Sequence, residues 1–337
     1  MARCGLPFLV ALAAMTMLPL RAQSFGARFE PPPGQVYHGA QGEFRPLLKG
    51  LKTEIDWAGL ETYAAAVGER PKLVMHYVTL QPELFAMLKP AVRSIAEQPY
   101  DYIAQIGLDF YRYEWRPRSR RFDISPAVAR GEYDFVLQNL AETLRDMAIP
   151  VLLRPGFEFG GSGFGSLYKP EAFVAAFRRV VTVFREAGVT NVAFVWHTKD
   201  ADNFMAFYPG DDWVDWWGIS IFDADPTRDP MIGRFTETAR EHRKPIIIAE
   251  STPRAYGVAD ARATAGGFFL PLFRYIRDND HVKALCYLNA SWEGYFDPGF
   301  RKDCRLQENP ELLTIYRDVL TRGRFIHAGP RVDGAGE

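Results

Sequence analysis

The chain has 337 residues, 47% hydrophobic and 24% charged, a balance that supports a large packed core and argues against wholesale disorder. Its formal net charge is −1, with basic and acidic residues intermixed and no polybasic run, which argues against nucleic acid or an anionic membrane surface as a partner. The length suits one barrel-sized domain or two small ones.

Residues 1–22 read as an export signal. Arg3 precedes an apolar stretch from Leu6 to Leu20, and Leu20-Arg21-Ala22 offers a cleavage point, so a periplasmic or extracellular protein is expected. Pro7 and Pro19 interrupt the stretch, which is short for a membrane span, so stable membrane insertion is not expected. Cys4 precedes the apolar stretch, whereas a lipoprotein cysteine would follow it. Residues 23–34 end in Pro31-Pro32-Pro33-Gly34 and form a short, stiff lead-in.

Short apolar runs and longer helical patterns then alternate. Gln35 to Ala40 is a first strand, followed by a helix over Trp57 to Val67. Lys72 to Leu80 is a second strand, followed by a helix from Pro82 to Glu97. Tyr102 to Tyr111 is a third strand, and Glu132 to Met147 a helix. Pro150 to Phe159 is a fourth strand, leading through the glycine-rich Gly160 to Gly165 into a helix over Pro170 to Ala187. That helix opens with proline and carries Phe173, Phe177, Val180, Val181 and Phe184 at helical spacing. Asn191 to His197 is a fifth strand, Val214 to Phe222 a sixth, Pro230 to His242 a helix, and Pro245 to Glu250 a seventh strand. Thr264 to Arg277 is a helix, Val282 to Asn289 an eighth strand and Pro310 to Thr321 a last helix. Near-continuous apolar strands alternating with helices indicate a parallel sheet covered on both sides. The first strand is followed by no Gly-x-Gly-x-x-Gly loop, which weakens a dinucleotide-binding reading. The count of eight strands favours a closed α/β (β/α)8 TIM barrel. No linker divides the chain, so a single domain over 35–325 is expected, with a C-terminal tail over 326–337.

Active sites of such barrels lie at the C-terminal ends of the strands. Glu158 ends the fourth strand and Glu250 the seventh. Strict alternation puts Leu152, Arg154, Gly156 and Glu158 on one face, and Ile246, Ile248 and Glu250 on another. A charge at the end of a buried apolar strand needs a partner or a solvated cleft. An ion pair with an arginine such as Arg154 is the plain structural alternative. Two opposed carboxylates are also what glycosidic cleavage requires. One must hold a proton for the leaving oxygen, and the other must attack the anomeric carbon or activate water against it. Burial and a neighbouring negative charge raise the pKa of the first.

The ordered segments RPGFEF (154–159), VAFVWHTKD (192–200), YPGDDWVDWWGISIF (208–222), KPIIIAES (244–251) and LNASW (288–292) resemble the retaining endo-glycanases of glycoside hydrolase clan A. Within the clan the likeness is strongest to family 26, the β-mannanase family, and runs from about residue 36 to 320. The resemblance implies Glu158 as acid/base, Glu250 as nucleophile and a retaining mechanism. It also implies that Trp292 floors a sugar subsite and that Trp196 lines the cleft. Two positions depart from the family pattern. Phe157 stands where His usually precedes the acid/base, and Phe222 where Tyr usually ends the sixth strand beside the nucleophile. Loss of those groups would alter the pKa values and alignment of the carboxylates. His197, His76, Tyr77 and Asp223 are candidates to replace them from neighbouring strand ends. The sugar stays open among mannan, glucan and xylan types, and the alternative to an enzyme is an inactive glycan-binding barrel.

Arg154, His76, His197 and Phe222 complete the expected substrate-binding set. Each of the two histidines reads equally well as a sugar or glutamate partner and as a structural histidine. Trp216 and Trp217 are adjacent, so one faces inward and one the helices, both as core. Gly160 to Gly165 follows a glutamate instead of opening a helix with Lys-Ser/Thr, so it reads as a rim loop, not a phosphate cradle. The six histidines are scattered, which disfavours a catalytic metal, and no cofactor is expected. No Gly-x-Ser-x-Gly elbow is present. Two cysteines of an exported chain invite a disulfide. Here Cys286 lies within a strand and Cys304 in a loop well beyond it, so a bridge is not expected. The partner is a poly- or oligosaccharide, and a monomer is expected.

Overall fold

A computed structural model describes residues 23–42, 54–114, 120–161, 165–293 and 302–332. The segment expected to be an export signal (1–22), the tip of the glycine-rich loop (162–164) and the end of the tail (333–337) lie outside the described residues.

Eight parallel strands close on themselves. They are β1 (Val36–Gln41), β2 (Leu73–Thr79), β3 (Ile103–Asp109), β6 (Val151–Pro155), β7 (Val192–Thr198), β8 (Trp216–Phe222), β9 (Ile246–Thr252) and β10 (Val282–Leu288), and pairing of β10 with β1 shuts the ring. Between β3 and β6 an antiparallel hairpin, β4 (Tyr111–Glu114) and β5 (Arg120–Asp123), rises from the C-terminal end of β3. The reading of one strand running to Tyr111 missed it. Outside the ring run α1 (Trp57–Val67), α2 (Pro82–Ser94), α3 (Ser125–Ala129), α4 (Asp134–Asp146), α5 (Pro170–Glu186), α6 (Pro230–Glu241), α7 (Ala261–Thr264), α8 (Leu270–Asp278) and α9 (Pro310–Arg322). A π turn, Ala265–Phe269, joins α7 to α8. The fold is a single-domain (β/α)8 barrel.

Helix starts follow local chemistry. Proline occupies the first turn of α2, α5, α6 and α9, where its missing N–H has no intrahelical partner to lose. Asp229 caps α6 by accepting from the N–H groups of Met231 and Ile232, and Asn309 caps α9 in the same way. The predicted stripe of α5 is buried against the barrel wall. That wall faces a large outer core, whereas Leu73, Ile103, Leu152, Ala193, Val195, Trp216, Ile247, Ala249 and Ala284 form a separate cluster inside the ring.

The lead-in is a floor for the barrel. Arg28 Nη1 donates to the Val192 carbonyl (2.8 Å), Trp216 Nε1 donates to the Arg28 carbonyl (2.8 Å), and Lys283 Nζ donates to the Gln23 carbonyl (2.9 Å). At the other terminus, β11 (Phe325–Ile326) pairs with β1, and His327 Nδ1 lies 3.0 Å from His38 Nδ1. The described part of the tail is therefore tied to the barrel. Cys286 and Cys304 are both buried and free.

Candidate active site

Alternation along each strand decides which side chains reach the mouth. Tyr77 follows Leu73 and Met75 inward on β2, and Arg154 follows Leu152 on β6. His197 follows Ala193 and Val195 on β7, and Ser220 and Phe222 follow Trp216 on β8. β9 departs from the strict pattern. Ile247 and Ala249 face the interior while Ile246 and Ile248 belong to the outer core, which reverses the expected face. Pairing with β8 and β10 slips next to Ala249 and Glu250. This local irregularity turns Glu250 into the mouth although Ala249 already points inward.

Glu158 likewise reaches the mouth by an irregular route. β6 ends at Pro155, not at Phe159, and both Gly156 (φ 61°) and Glu158 (φ 54°) have left-handed backbone. For a glutamate this is a sparsely populated conformation, of the kind found where surrounding contacts over-determine a functional side chain.

Arg154 organises the centre. Its guanidinium is wholly buried, a position tolerable only with partners. Nη1 donates to Glu250 Oε1 at 2.7 Å and to His197 Nδ1 at 3.1 Å, and Nη2 points at Met75 Sδ at 3.0 Å. The Tyr77 hydroxyl hydrogen-bonds Glu250 and also lies against Arg154. Burial, reinforced by the Glu250 charge, pushes the Tyr77 phenol well above its usual range. The Glu158 carboxyl is pushed from 4.5 up to about 7, first by burial and then by the Glu250 charge, against the pull of Lys199, Ser220 and Arg154. Burial, together with the Arg154 charge, holds His197 well below its usual range, so its imidazole is neutral. His197 Nε2 lies 3.0 Å from Ser220 Oγ. One connected polar network thus runs from Tyr77 and Glu250 through Arg154 and His197 to Ser220.

The two departures from the family pattern have distinct fates. Phe157 stacks nearly parallel to the His197 ring (centroids 6.4 Å apart, planes at 17°) and packs on Tyr77 at 5.2 Å. Phe222 is an inward wall residue, with Lys199 Nζ 5.6 Å and the Arg254 guanidinium 5.5 Å from its ring centre. Of the four candidates to replace the missing polar groups, Tyr77 and His197 reach the carboxylate network. Asp223 instead pairs with Arg254 (2.8 Å) and accepts from the Ala255 N–H (2.6 Å). His76 shares its strand face with Val74 and Val78, which belong to the outer core, so alternation turns it toward the helices and away from a sugar.

Trp196 is a second correction. It lies in the outer core against Phe159, Phe204, Trp217 and Phe235, and donates its indole N–H to the Phe207 carbonyl (2.9 Å). It buttresses the wall behind the site and does not line a cleft. Trp217 shares that outer position, whereas Trp216 fills the barrel interior. Trp292 belongs with Met75, Phe222, Cys286 and Leu288 in the apolar patch beside Tyr77. Among the described residues no three or more His, Cys, Asp or Glu side chains gather as metal ligands. Sequence reasoning missed Ser220, although it stands two residues before Phe222 on the same strand face. It also missed Lys199, which follows β7 directly and bears on Glu158.

The family described as Glycosyl hydrolase family 26 matches residues 126–263, a span that holds both glutamates. A β-1,3-xylanase of Alcaligenes sp is 29% identical over 230 residues, covering 59% of this chain and 49% of that protein. Endoglucanase H of Acetivibrio thermocellus is 26% identical over 217 residues, covering 58% of this chain and 23% of that protein. The chain spans about half the length, or less, of these curated relatives. Among solved structures, the Bacillus subtilis mannanase BCman superposes with a TM-score of 0.60 at 17% identity, covering 91% and 90% of the two chains. A family 26 β-mannanase of Bacteroides ovatus gives a TM-score of 0.61 at 16% identity, covering 90% and 95%. These structural likenesses speak for the fold. The likeness to glycosyl hydrolase family 26 is thus carried by residues 126–263, and the likeness in fold by most of the chain.

Proposed function

We propose that the protein is an exported glycoside hydrolase that cleaves a β-linked glycan with retention, using Glu250 as nucleophile and Glu158 as acid/base. The observation that carries this reading is the asymmetry of two carboxyls at one mouth. Glu250 is clamped by Arg154 and Tyr77, while the Glu158 carboxyl is held up to about 7 by burial and by the Glu250 charge. A carboxyl in the second condition keeps a proton near neutral pH and has it to give. In the first step a Glu250 oxygen attacks the anomeric carbon as Glu158 hands its proton to the departing glycosidic oxygen. In the second, Glu158, now a carboxylate, takes a proton from water as that water displaces Glu250 from the sugar. Arg154 and Tyr77 hold the nucleophile in one orientation, so little geometry is left to arrange during the reaction. Phe222 and Trp292 offer apolar wall to the ring faces of the sugar. The relatives' names span β-1,3-xylan, glucan and mannan chemistry, so the substrate class is a β-linked backbone of this kind. The signal-like segment at 1–22 supports export, and action as a monomer is proposed with it.

The test is release of reducing ends from β-1,3-xylan, β-1,4-xylan, mannan, mixed-linkage glucan and β-1,3-glucan. Turnover on at least one, abolished by Glu250→Gln, supports the proposal. Binding with no release by the wild type on any of the five would favour a glycan-binding barrel instead. Turnover that survives Glu250→Gln would remove the nucleophile assignment.

A further inference from the structure

The proposed chemistry leaves Lys199 without a task. Along β7, His197 faces the interior and Thr198 turns outward to donate to the Phe159 carbonyl (3.0 Å). Alternation therefore brings Lys199 back to the mouth just past the strand end. Its Nζ comes to 5.6 Å from the ring centre of Phe222, an inward residue of β8. The ring face attracts a cation but carries no counter-charge. Other charges around this wall are matched. Arg154 pairs with Glu250 (2.7 Å), and Arg254, 5.5 Å from the same ring, pairs with Asp223 (2.8 Å). Lys199 is half-buried, and among the described residues no hydrogen bond or ion pair reaches its ammonium. Glu158 does not neutralise it while that carboxyl holds its proton. A half-buried ammonium is costly without a counter-ion, and the molecule that enters this mouth can bring one.

We propose that Lys199, seated on Phe222, is a specificity-determining residue that selects glycans bearing an acidic substituent, a uronate carboxylate or a sulfate ester. The selection rests on the reading of this mouth as a glycan site. An ammonium is a compact point charge on a flexible stem, so it accepts either acid and imposes no planar geometry on it. Phe222 shares its apolar cluster with Trp292 and Leu288, so wall for a sugar ring and charge for its acid group lie side by side. Arg254 does not do the same work, because Asp223 already holds its charge.

The test reads binding, in a Glu158→Gln background whose amide matches the protonated acid in charge. Glu250→Gln is unsuitable here, since it would leave Arg154 without its counter-ion. Calorimetry below neutral pH compares glucuronoxylan, the same polymer after reduction of its carboxyls to alcohols, and the reduced polymer after light sulfation. Mannan and mixed-linkage glucan are each compared with their partly C6-oxidised forms, so the backbone need not be known in advance. The acidic form of the backbone that binds should be held about tenfold or more tighter than the neutral one. The larger preference, for carboxylate or for sulfate, identifies the acid. Lys199→Arg should keep the preference, and Lys199→Gln should bind acidic and neutral forms alike. With Lys199 in place, raising salt to about 1 M should erase most of the preference, a readout that needs no substitution at this position. Equal binding of acidic and neutral forms, or a preference that survives Lys199→Gln, overturns the selection. An equal loss on both forms in Lys199→Gln overturns it too, by making Lys199 a general part of the site. Failure to bind any of these glycans would remove the glycan reading itself, and the selection with it.

Discussion

Tyr77 is the residue whose place in the site depends most on the third dimension. It stands on β2, yet its hydroxyl reaches Glu250 on β9. Tyr77→Phe removes one hydrogen bond to a charged group and leaves the ring packing intact. kcat should fall by about tenfold to a hundredfold with little change in KM, measured on whichever glycan is turned over. At Glu158 the sign of the pH dependence follows from the raised pKa. The acid form is needed for the first step, so kcat/KM should fall as pH rises through about 7. The same shift works against stability. The unfolded carboxyl ionises near 4.5, and the folded one resists until about 7. Stability is therefore lost across that window, and the full cost is present above it. Glu158→Gln should melt higher than the wild type at pH 8, and differ little at pH 4, in a thermal scan. The two glutamates were legible in the sequence because a charge at the end of a buried apolar run has few uses. Ser220 and Tyr77 were not, because their hydroxyls acquire a role only from partners on other strands. Trp196 and His76 misled for a related reason, since a polar or aromatic residue near a strand end looks alike on either face.

At the scale of elements, most of the barrel strands and helices follow from apolar runs and proline starts, and α1 and α5 occupy almost the residues that spacing predicts. Departures gather at the C-terminal end of the barrel strands. β6 stops early, β9 slips beside Glu250, and the hairpin of β4 and β5 after β3 has no counterpart in the sequence reading, which ended the third strand at Tyr111. Each is a break in regular alternation, which periodicity cannot foresee. Gly107 on β3 is a further example. A Cβ there would stand 2.6 Å from Tyr77 Cδ1 and 3.1 Å from Phe157 Cδ1, so its lack of a side chain gives both rings their room. Gly107→Ala should cost about 1–3 kcal/mol of stability by overpacking. Because it displaces Tyr77, it should also lower kcat. A variant with wild-type melting temperature and wild-type kcat would show that the two rings have slack there.

Over the whole molecule the two ends of the barrel are given different work. The lead-in closes the N-terminal end through Arg28, Trp216 and Lys283, far along the strands from Glu158 and Glu250. Removing residues 23–30 should therefore lower Tm by about 5 °C or more while leaving kcat close to that of the intact protein. A parallel loss of kcat would mean that the floor also shapes the mouth. The central claim, that Glu250 attacks the sugar while Glu158 serves it with a proton, is tested most directly by trapping the covalent intermediate. The protein is incubated with 2-deoxy-2-fluoro-β-glycosyl fluorides of the gluco, xylo and manno series, and the labelled peptide is identified by mass spectrometry. The account predicts one sugar residue attached to Glu250. Attachment to a different carboxylate, or efficient hydrolysis that yields the inverted anomer, would contradict it.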